Sequence, residues 1–323
     1  EILHQEKKKK GELQQDSTLA LSSAFRNVTP VRLYLKKERE EFQKTLQEFY
    51  TRLGREYTSE VECHGVKKEI FSPSDPTQKV GDLTYATKEE ALRAIQTAYE
   101  EAEKGVWPKL PAILRSSILL KAATLLLIHR AELASLMIHE GGKAPQEALA
   151  DVDEAIDFLN FYARAAVEYS HHHHVVPRGV AGVIAPWNFP LAIPCGMAVA
   201  PLATGNTVLL KPADRTPLIT QRLTDLLYQA GVPNTAFRHL PGPGREVGSI
   251  LVESPLVSSI VFTGSKSVGM WIANTAGKKA CRLPQKKEFT LSAKVITEMG
   301  GKNAIIVTNN AEMDETISGI LYS

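Results

Sequence analysis

An asparagine held between two prolines, in Pro186-Trp187-Asn188-Phe189-Pro190, has a restrained backbone. Its amide can be aimed at one point in space, as an oxyanion stabiliser requires. Glu298, in Ile296-Thr-Glu-Met-Gly-Gly-Lys-Asn-Ala304, precedes two glycines that let other backbone approach closely. Such a carboxylate can act as a general base if partial burial raises its pKa. Lys211 and Asp214, in Leu209-Leu-Lys-Pro-Ala-Asp214, can together hold ribose hydroxyls, and the acid would repel a 2′-phosphate. Phe262-Thr-Gly-Ser-Lys-Ser-Val-Gly269 places a glycine and a serine where a helix opens, a pattern suited to phosphate. Pro241-Gly-Pro-Gly-Arg-Glu-Val-Gly248 resembles a dinucleotide glycine fingerprint with one residue too many before its last glycine. Each has a plain alternative: a turn asparagine, a solvated lysine, a helix-capping serine.

The elements that must position these residues follow from periodicity. Leu33, Leu35, Phe42, Leu46, Phe49 and Leu53 predict an amphipathic helix within 31–54. Phe71-Ser-Pro-Ser-Asp-Pro76 reads as a turn-rich connector. Helices are expected over about 88–104, about 111–139 with a break, and about 145–169, the second ended by Gly141-Gly142. From residue 177, β-rich runs (Val180 to Ala185, Thr207 to Leu210, Phe237 to Leu240, Ser258 to Phe262) alternate with helical patterns. That alternation predicts an α/β fold with a Rossmann-like parallel sheet and helices on both faces. Ligands bind beyond the carboxyl ends of such strands, where the residues above lie.

Composition narrows the classes. With 323 residues, 43% hydrophobic and 23% charged, the chain can bury a sizeable core. A formal charge of +2 gives no reason to expect nucleic acid as a partner, and the four lysines Lys7 to Lys10 read as a solvated face. The apolar run Leu119 to Ile128 is too short for a membrane span. Cys63, Cys195 and Cys281 suggest no disulfide framework, and a reducing, cytoplasmic setting is expected. Cys195 reads as packed on a helix, and neither it nor Cys281 reads as a nucleophile. The run His171 to His174 cannot converge tetrahedrally on a metal without other ligands, so no metal site is expected. The chain starts at Glu1 without methionine and stops at Ser323 without a closing element, which suggests a fragment.

In order and spacing these motifs resemble the aldehyde dehydrogenase superfamily over nearly all of 70–323, and Trp107, Arg115, Glu140, Lys143 and the Asp151–Tyr162 segment fit the same pattern. The resemblance implies an NAD(P)-dependent oxidation of an aldehyde to a carboxylate, with NAD as cofactor and NADP as the other option. It implies that Asn188 supplies the oxyanion amide and Glu298 the general base. It implies that Ile184, Ala185, Pro186 and Trp187 line the nicotinamide side, and that Lys211 and Asp214 meet the adenosine ribose. Further cofactor contacts are implied at Gly244, Gly264, Ser265, Val268, Met299 and Gly300. The family more often has glutamate or serine at the Asp214 position.

Within the superfamily, Phe25-Arg-Asn with Glu38 to Leu46, the length between Ser265 and Glu298, and Glu298-Met-Gly-Gly-Lys-Asn resemble the glutamate-γ-semialdehyde (1-pyrroline-5-carboxylate) dehydrogenase group. That implies L-glutamate γ-semialdehyde as substrate, in proline catabolism, and a homo-oligomer. The polar N-terminal stretch would suit a linker from a proline dehydrogenase domain, which precedes this domain on one chain in many bacteria. The family's catalytic cysteine falls beyond Ser323, so the catalytic domain is expected to be largely missing and the chain alone inactive. The expected division is an arm and linker (1–70), an NAD(P)-binding domain with its N-terminal helices (71–300), and the start of a catalytic domain (301–323). A non-catalytic nucleotide-binding or structural relative is the competing reading. An acyl-phosphate reductase is a third, disfavoured by the Glu298-type base.

Overall fold

The structure, a computed structural model, describes residues 25–58, 60–170, 176–284 and 290–322. The Lys7–Lys10 and His171–His174 runs lie outside them. Helix α1 (Lys36–Tyr50) and the short β1 (Arg55–Glu56) come first. The stretch read as a connector is in fact the turn of a hairpin, β2 (Lys67–Phe71) and β3 (Lys79–Thr84), in a small sheet of order β1-β3-β2. Sequence patterning missed these strands because their faces do not alternate. Asp82 of β3 is buried, reached by Lys67 and Lys79 on the hairpin.

Helices α2 (Lys88–Lys104), α3 (Ala112–Ile128), α4 (Arg130–Gly141) and α5 (Pro145–Ser170) lie close to their expected ranges. The break falls at His129, and Gly142, at φ 68°, caps α4 in the left-handed region that glycine adopts without strain. Among the described residues no single helix is long and apolar enough to cross a membrane. The apolar α3 instead buries Leu119 and Leu126, each worth about 1.5–3 kcal/mol of transfer from water.

The second half is a βα alternation. It comprises β4 (Val180–Ile184), α6 (Ala192–Ala203), β5 (Thr207–Lys211), α7 (Pro217–Ala230) and β6 (Phe237–His239). Then come α8 (Ser249–Glu253), β7 (Val257–Gly264), α9 (Lys266–Ala276), a β8 (Ala280–Arg282)/β9 (Thr290–Ser292) pair, β10 (Lys294–Met299) and α10 (Met313–Tyr322). Five strands pair in parallel in the order β10-β7-β4-β5-β6. Alternate side chains enter two cores. Ala181, Val183, Val208 and Leu210 meet the layer of α3, α5, α6 and α7, while Val180, Leu209, Ile260 and Phe262 meet that of α2, α8 and α9. Helices therefore cover both faces, as expected for a parallel sheet. Strand β10 was not anticipated: Val295 and Ile296 are adjacent, so the run shows no apolar–polar alternation.

The N-terminal arm is tied down by polar and aromatic contacts. Asp157 of α5 accepts from Asn27 Nδ2 (2.6 Å) and from the Val28 N–H (2.8 Å), and Phe25 meets Phe161 edge-on. Phe42 and Phe49 of α1 join the larger core. Trp107 and Arg115 are anchors: the indole donates to Leu202 O (3.1 Å) and the guanidinium Nε to Ala203 O (3.0 Å), fixing the end of α6.

Candidate active site: a crevice at the carboxyl edge of the sheet

Because the five strands are parallel, their carboxyl ends share one edge. The chain adds β5 and β6 on one side of β4, then crosses to add β7 and β10 on the other. That reversal opens a crevice at the end of β4. The register aligns the motif residues across it: Ile184 pairs with Lys211 on one side and Phe262 on the other, and Glu298 pairs with Thr263. Thus the Ala185–Pro190, Lys211–Asp214, Gly264–Val268 and Glu298–Gly300 segments all leave the sheet at the same edge. The Gly242–Gly248 segment joins them after β6.

The Asn188 loop is held from below by charge. Lys143, in the turn between α4 and α5, donates from Nζ to Asp151 Oδ2 (2.9 Å) and to the Asn188 carbonyl (3.0 Å), and sits 4.1 Å from the Phe189 ring centroid. Asp151 Oδ1 accepts from the Ala192 N–H (2.6 Å) at the start of α6. Both side chains are nearly out of solvent, at 10% and 0% exposure. Burial pushes the Asp151 carboxyl up, and the Lys143 ammonium opposes that shift. The backbone of the loop is therefore fixed at both ends, while the exposed Asn188 amide is left with no hydrogen bond among the described residues. Sequence reading placed Lys143 and Asp151 in the family pattern without assigning them this role, since no local spacing shows that they meet.

Trp187 is also exposed, with its ring against the Arg215 guanidinium (5.3 Å to the centroid). It lines a cavity of about 390 Å³ with Phe71, Glu140 and Thr216. Ala185 and Pro186 are buried beneath the loop, and Ile184 is half-buried.

Lys211 closes β5 and is buried; its Nζ donates to Pro212 O (2.7 Å) and to Asp214 Oδ1 (2.6 Å). The pair thus stands ready at the strand tip, with Asp214 exposed. A Cβ built on Gly244 would lie 4.0 Å from Lys211 Nζ, which places the glycine turn beside the lysine. The extra residue of that turn has a structural answer: Gly244–Gly248 winds as a single π-helical turn, which absorbs one residue before α8 begins.

Across the crevice, Ser265 caps α9, its Oγ accepting from the Val268 N–H at 3.4 Å. The capping alternative is therefore realised, and it leaves the other first-turn N–H groups of an exposed helix start facing outward. Gly264 lies over the Phe262 ring. Gly269 lets α9 approach β10: a Cβ there would fall 2.5 Å from Met299 Sδ and 3.2 Å from the Phe262 ring. Gly269→Ala is expected to cost about 1–3 kcal/mol through overpacking, offset by the roughly 1 kcal/mol that alanine gains over glycine in a helix, read as a slightly lowered unfolding midpoint. A raised midpoint would show that Met299 swings aside freely. Glu298, Met299 and Gly300 are all exposed. Glu298 stands on β10, the last strand of the sheet among the described residues of this chain.

None of the cysteines is placed as a nucleophile. Cys195 is fully buried, its Sγ 3.6 Å from Ala155 O, and Cys281 lies 3.4 Å from Val257 O. Burial pushes both thiols up, and Cys63 to about 11, away from the reactive thiolate. Among the described residues no group of three histidine, cysteine or acidic side chains is arranged to hold a metal.

Comparison with known proteins decides the family, because the aldehyde dehydrogenase family model matches residues 61–323. The chain belongs to the aldehyde dehydrogenase family. It is 37% identical over 301 residues to 1-pyrroline-5-carboxylate dehydrogenase 1 of Halalkalibacterium halodurans, covering 88% of this chain and 57% of that protein. The Bacillus subtilis 1-pyrroline-5-carboxylate dehydrogenase is 36% identical, with 89% and 57% covered. Among solved structures, a Thermus 1-pyrroline-5-carboxylate dehydrogenase with bound NAD superposes with a TM-score of 0.85 at 36% identity, over 93% of this chain and 60% of that one. Proline utilization A of Bdellovibrio bacteriovorus superposes with a TM-score of 0.84 at 33% identity, over 93% of this chain and 32% of that one. The chain therefore spans somewhat over half the length of the curated relatives it matches.

Proposed function

We propose that this family member is the cofactor-binding part of an NAD-dependent dehydrogenase that oxidises L-glutamate γ-semialdehyde to L-glutamate. The observation that carries the reading is the shared sheet edge: the Asn188 loop follows β4 and Glu298 ends β10, with the Gly264–Val268 segment between them. The donor set fits a dinucleotide. Lys211 and Asp214 offer a cation and an acceptor for ribose hydroxyls, Gly244 leaves room beside them, and the start of α9 offers N–H groups to a pyrophosphate. Bound NAD would supply the hydride acceptor.

In this proposal the Asn188 amide donates to the oxyanion formed when a nucleophile adds to the aldehyde, an effect on the order of 3 kcal/mol. Glu298 takes a proton, first from the nucleophile and later from the hydrolytic water. Gly264, Ser265 and Val268 bind the pyrophosphate, while Ile184, Ala185, Pro186 and Trp187 border the nicotinamide. Met299 and Gly300 complete that wall. The nucleophile is assigned to no cysteine of this chain, so the chain alone is expected to bind NAD without turnover. A cytoplasmic homo-oligomer, and fusion or coupling to a proline dehydrogenase, belong to the same proposal. So does the division into an arm (1–70), a cofactor domain (71–300) and the start of a catalytic domain (301–323).

Two measurements test it. Calorimetric titration of this chain should show saturable NAD binding, and a protein extended to the relatives' full length should reduce NAD with the semialdehyde. Absence of both would end the proposal, whereas turnover of simple aldehydes alone would remove the substrate. Asp214 should favour NAD over NADP by repelling a 2′-phosphate. Asp214→Ser is expected to narrow that preference by about 1–2 kcal/mol, roughly five- to thirtyfold, given its partial exposure. An unchanged ratio of dissociation constants would place the discriminating group elsewhere.

A further inference from the structure

The edge strand β6 carries a charge where its neighbours carry core. Phe237 and His239 are buried, so alternation turns Arg238 to the opposite face, toward α2. A cavity of about 330 Å³ opens there, lined by Arg93 and Thr97 of α2, by Asn234, Thr235 and Arg238 around β6, and by His64. Arg238 Nε is buried with no acceptor, and burial lowers the guanidinium's pKa. Neither Arg238 nor Arg93 forms an ion pair or side-chain hydrogen bond among the described residues.

The acidic groups at this cavity do not satisfy them. Glu90 spends its oxygens on the Thr87 N–H (2.8 Å), the His64 N–H (3.1 Å) and His64 Nδ1 (2.7 Å), and these bonds hold it near 2 against the opposing effect of burial. Glu62 is exposed and 4.0 Å from His64. Two guanidinium groups thus line one recess, Arg93 exposed and Arg238 half-buried, with Arg238 Nε sealed beneath and the terminal nitrogens left for a ligand. Paired forks of this kind match the oxygens of a tetrahedral dianion better than a single carboxylate, and the Thr97 hydroxyl adds a further donor.

We propose that this recess binds a phosphoryl group, either as free phosphate or as a phosphate monoester. The site lies on the α2 side of β6, apart from the crevice residues, and the proposal stands independently of the dehydrogenase reading. Inorganic phosphate and glycerol phosphate are titrated separately into the whole chain by calorimetry in chloride buffer. Binding should be saturable, weaken at least tenfold in Arg238→Gln, and vanish in the Arg93→Gln/Arg238→Gln double variant. If Arg238→Gln fails to fold, Arg93→Gln, at an exposed position, carries the same tenfold expectation. Tighter binding of glycerol phosphate identifies a monoester ligand, and tighter binding of phosphate the free ion. The proposal is overturned if neither compound binds saturably, or if the double variant keeps wild-type affinity, which would assign the anion to the crevice instead.

Discussion

Lys143→Met should destabilise the protein by about 3–5 kcal/mol, the usual cost of removing one partner of a buried ion pair. Methionine is one atom shorter than lysine, keeps an unbranched apolar stem, and carries neither the charge nor the donors. Asp151, with no solvent exposure, would then hold an uncompensated carboxylate at the start of α6. The Asn188 carbonyl would lose its donor and Phe189 its cation, so the loop that carries Asn188 would loosen as well. Urea unfolding measures the loss. The double variant Lys143→Met/Asp151→Leu should recover much of it, because an apolar pair of similar volume often replaces a buried ion pair at little cost. A loss below about 1 kcal/mol in the single variant would mean that Asp151 is adequately held by backbone N–H groups alone, and that Lys143 is no clamp.

The second large effect is a pH dependence centred on Glu140. This fully buried carboxyl accepts from the Leu218 N–H (2.6 Å) and the Ile219 N–H (3.0 Å) at the start of α7, which favours its ionised form. Burial outweighs those bonds and raises the group to about 8. In the unfolded chain a glutamate titrates near about 4.3. The folded state therefore holds the proton more tightly. Its stabilising contribution is complete below the unfolded value and is lost as pH rises through the window up to about 8. Glu140→Gln removes the titration and should abolish this slope, but its NH2 cannot accept from the second N–H, so the variant should start below wild type near pH 5 by about 1–3 kcal/mol. Between pH 5 and pH 9 the variant should gain on wild type by an amount on the order of a few kcal/mol. Thermal midpoints across pH 5–9 give the comparison, and the difference between the two proteins isolates Glu140 from Asp153 and His239, which also titrate abnormally. Parallel curves would show that Glu140 is ionised throughout, held by the helix start.

Much of the fold was legible because its helices and central strands carry strong local signals. The apolar run Leu119 to Ile128 within α3 and the Gly141-Gly142 stop each act within a few residues. The illegible strands were those whose partners lie outside their own sequence. The β2–β3 hairpin buries Asp82 among lysines, and β10 places Val295 beside Ile296, so neither shows a clean apolar–polar alternation. The site divides in the same way. Asn188, Lys211 and Ser265 stand out by type and by their place at strand ends, whereas Lys143 and Asp151 are ordinary residues of a helical region until folding joins them to the Asn188 loop.

Residue types and their order along the chain were enough to specify the family, the parallel sheet and the set of groups gathered at one edge. Backbone propensity and hydrophobic period act over short stretches, and each stretch carries its own record. Folding alone decided that an ammonium braces the Asn188 loop, that a π turn absorbs the surplus residue of the glycine segment, and that two guanidinium groups line one recess. Those outcomes depend on how much water each group loses and on which distant charge it meets, and both are properties of the packed molecule.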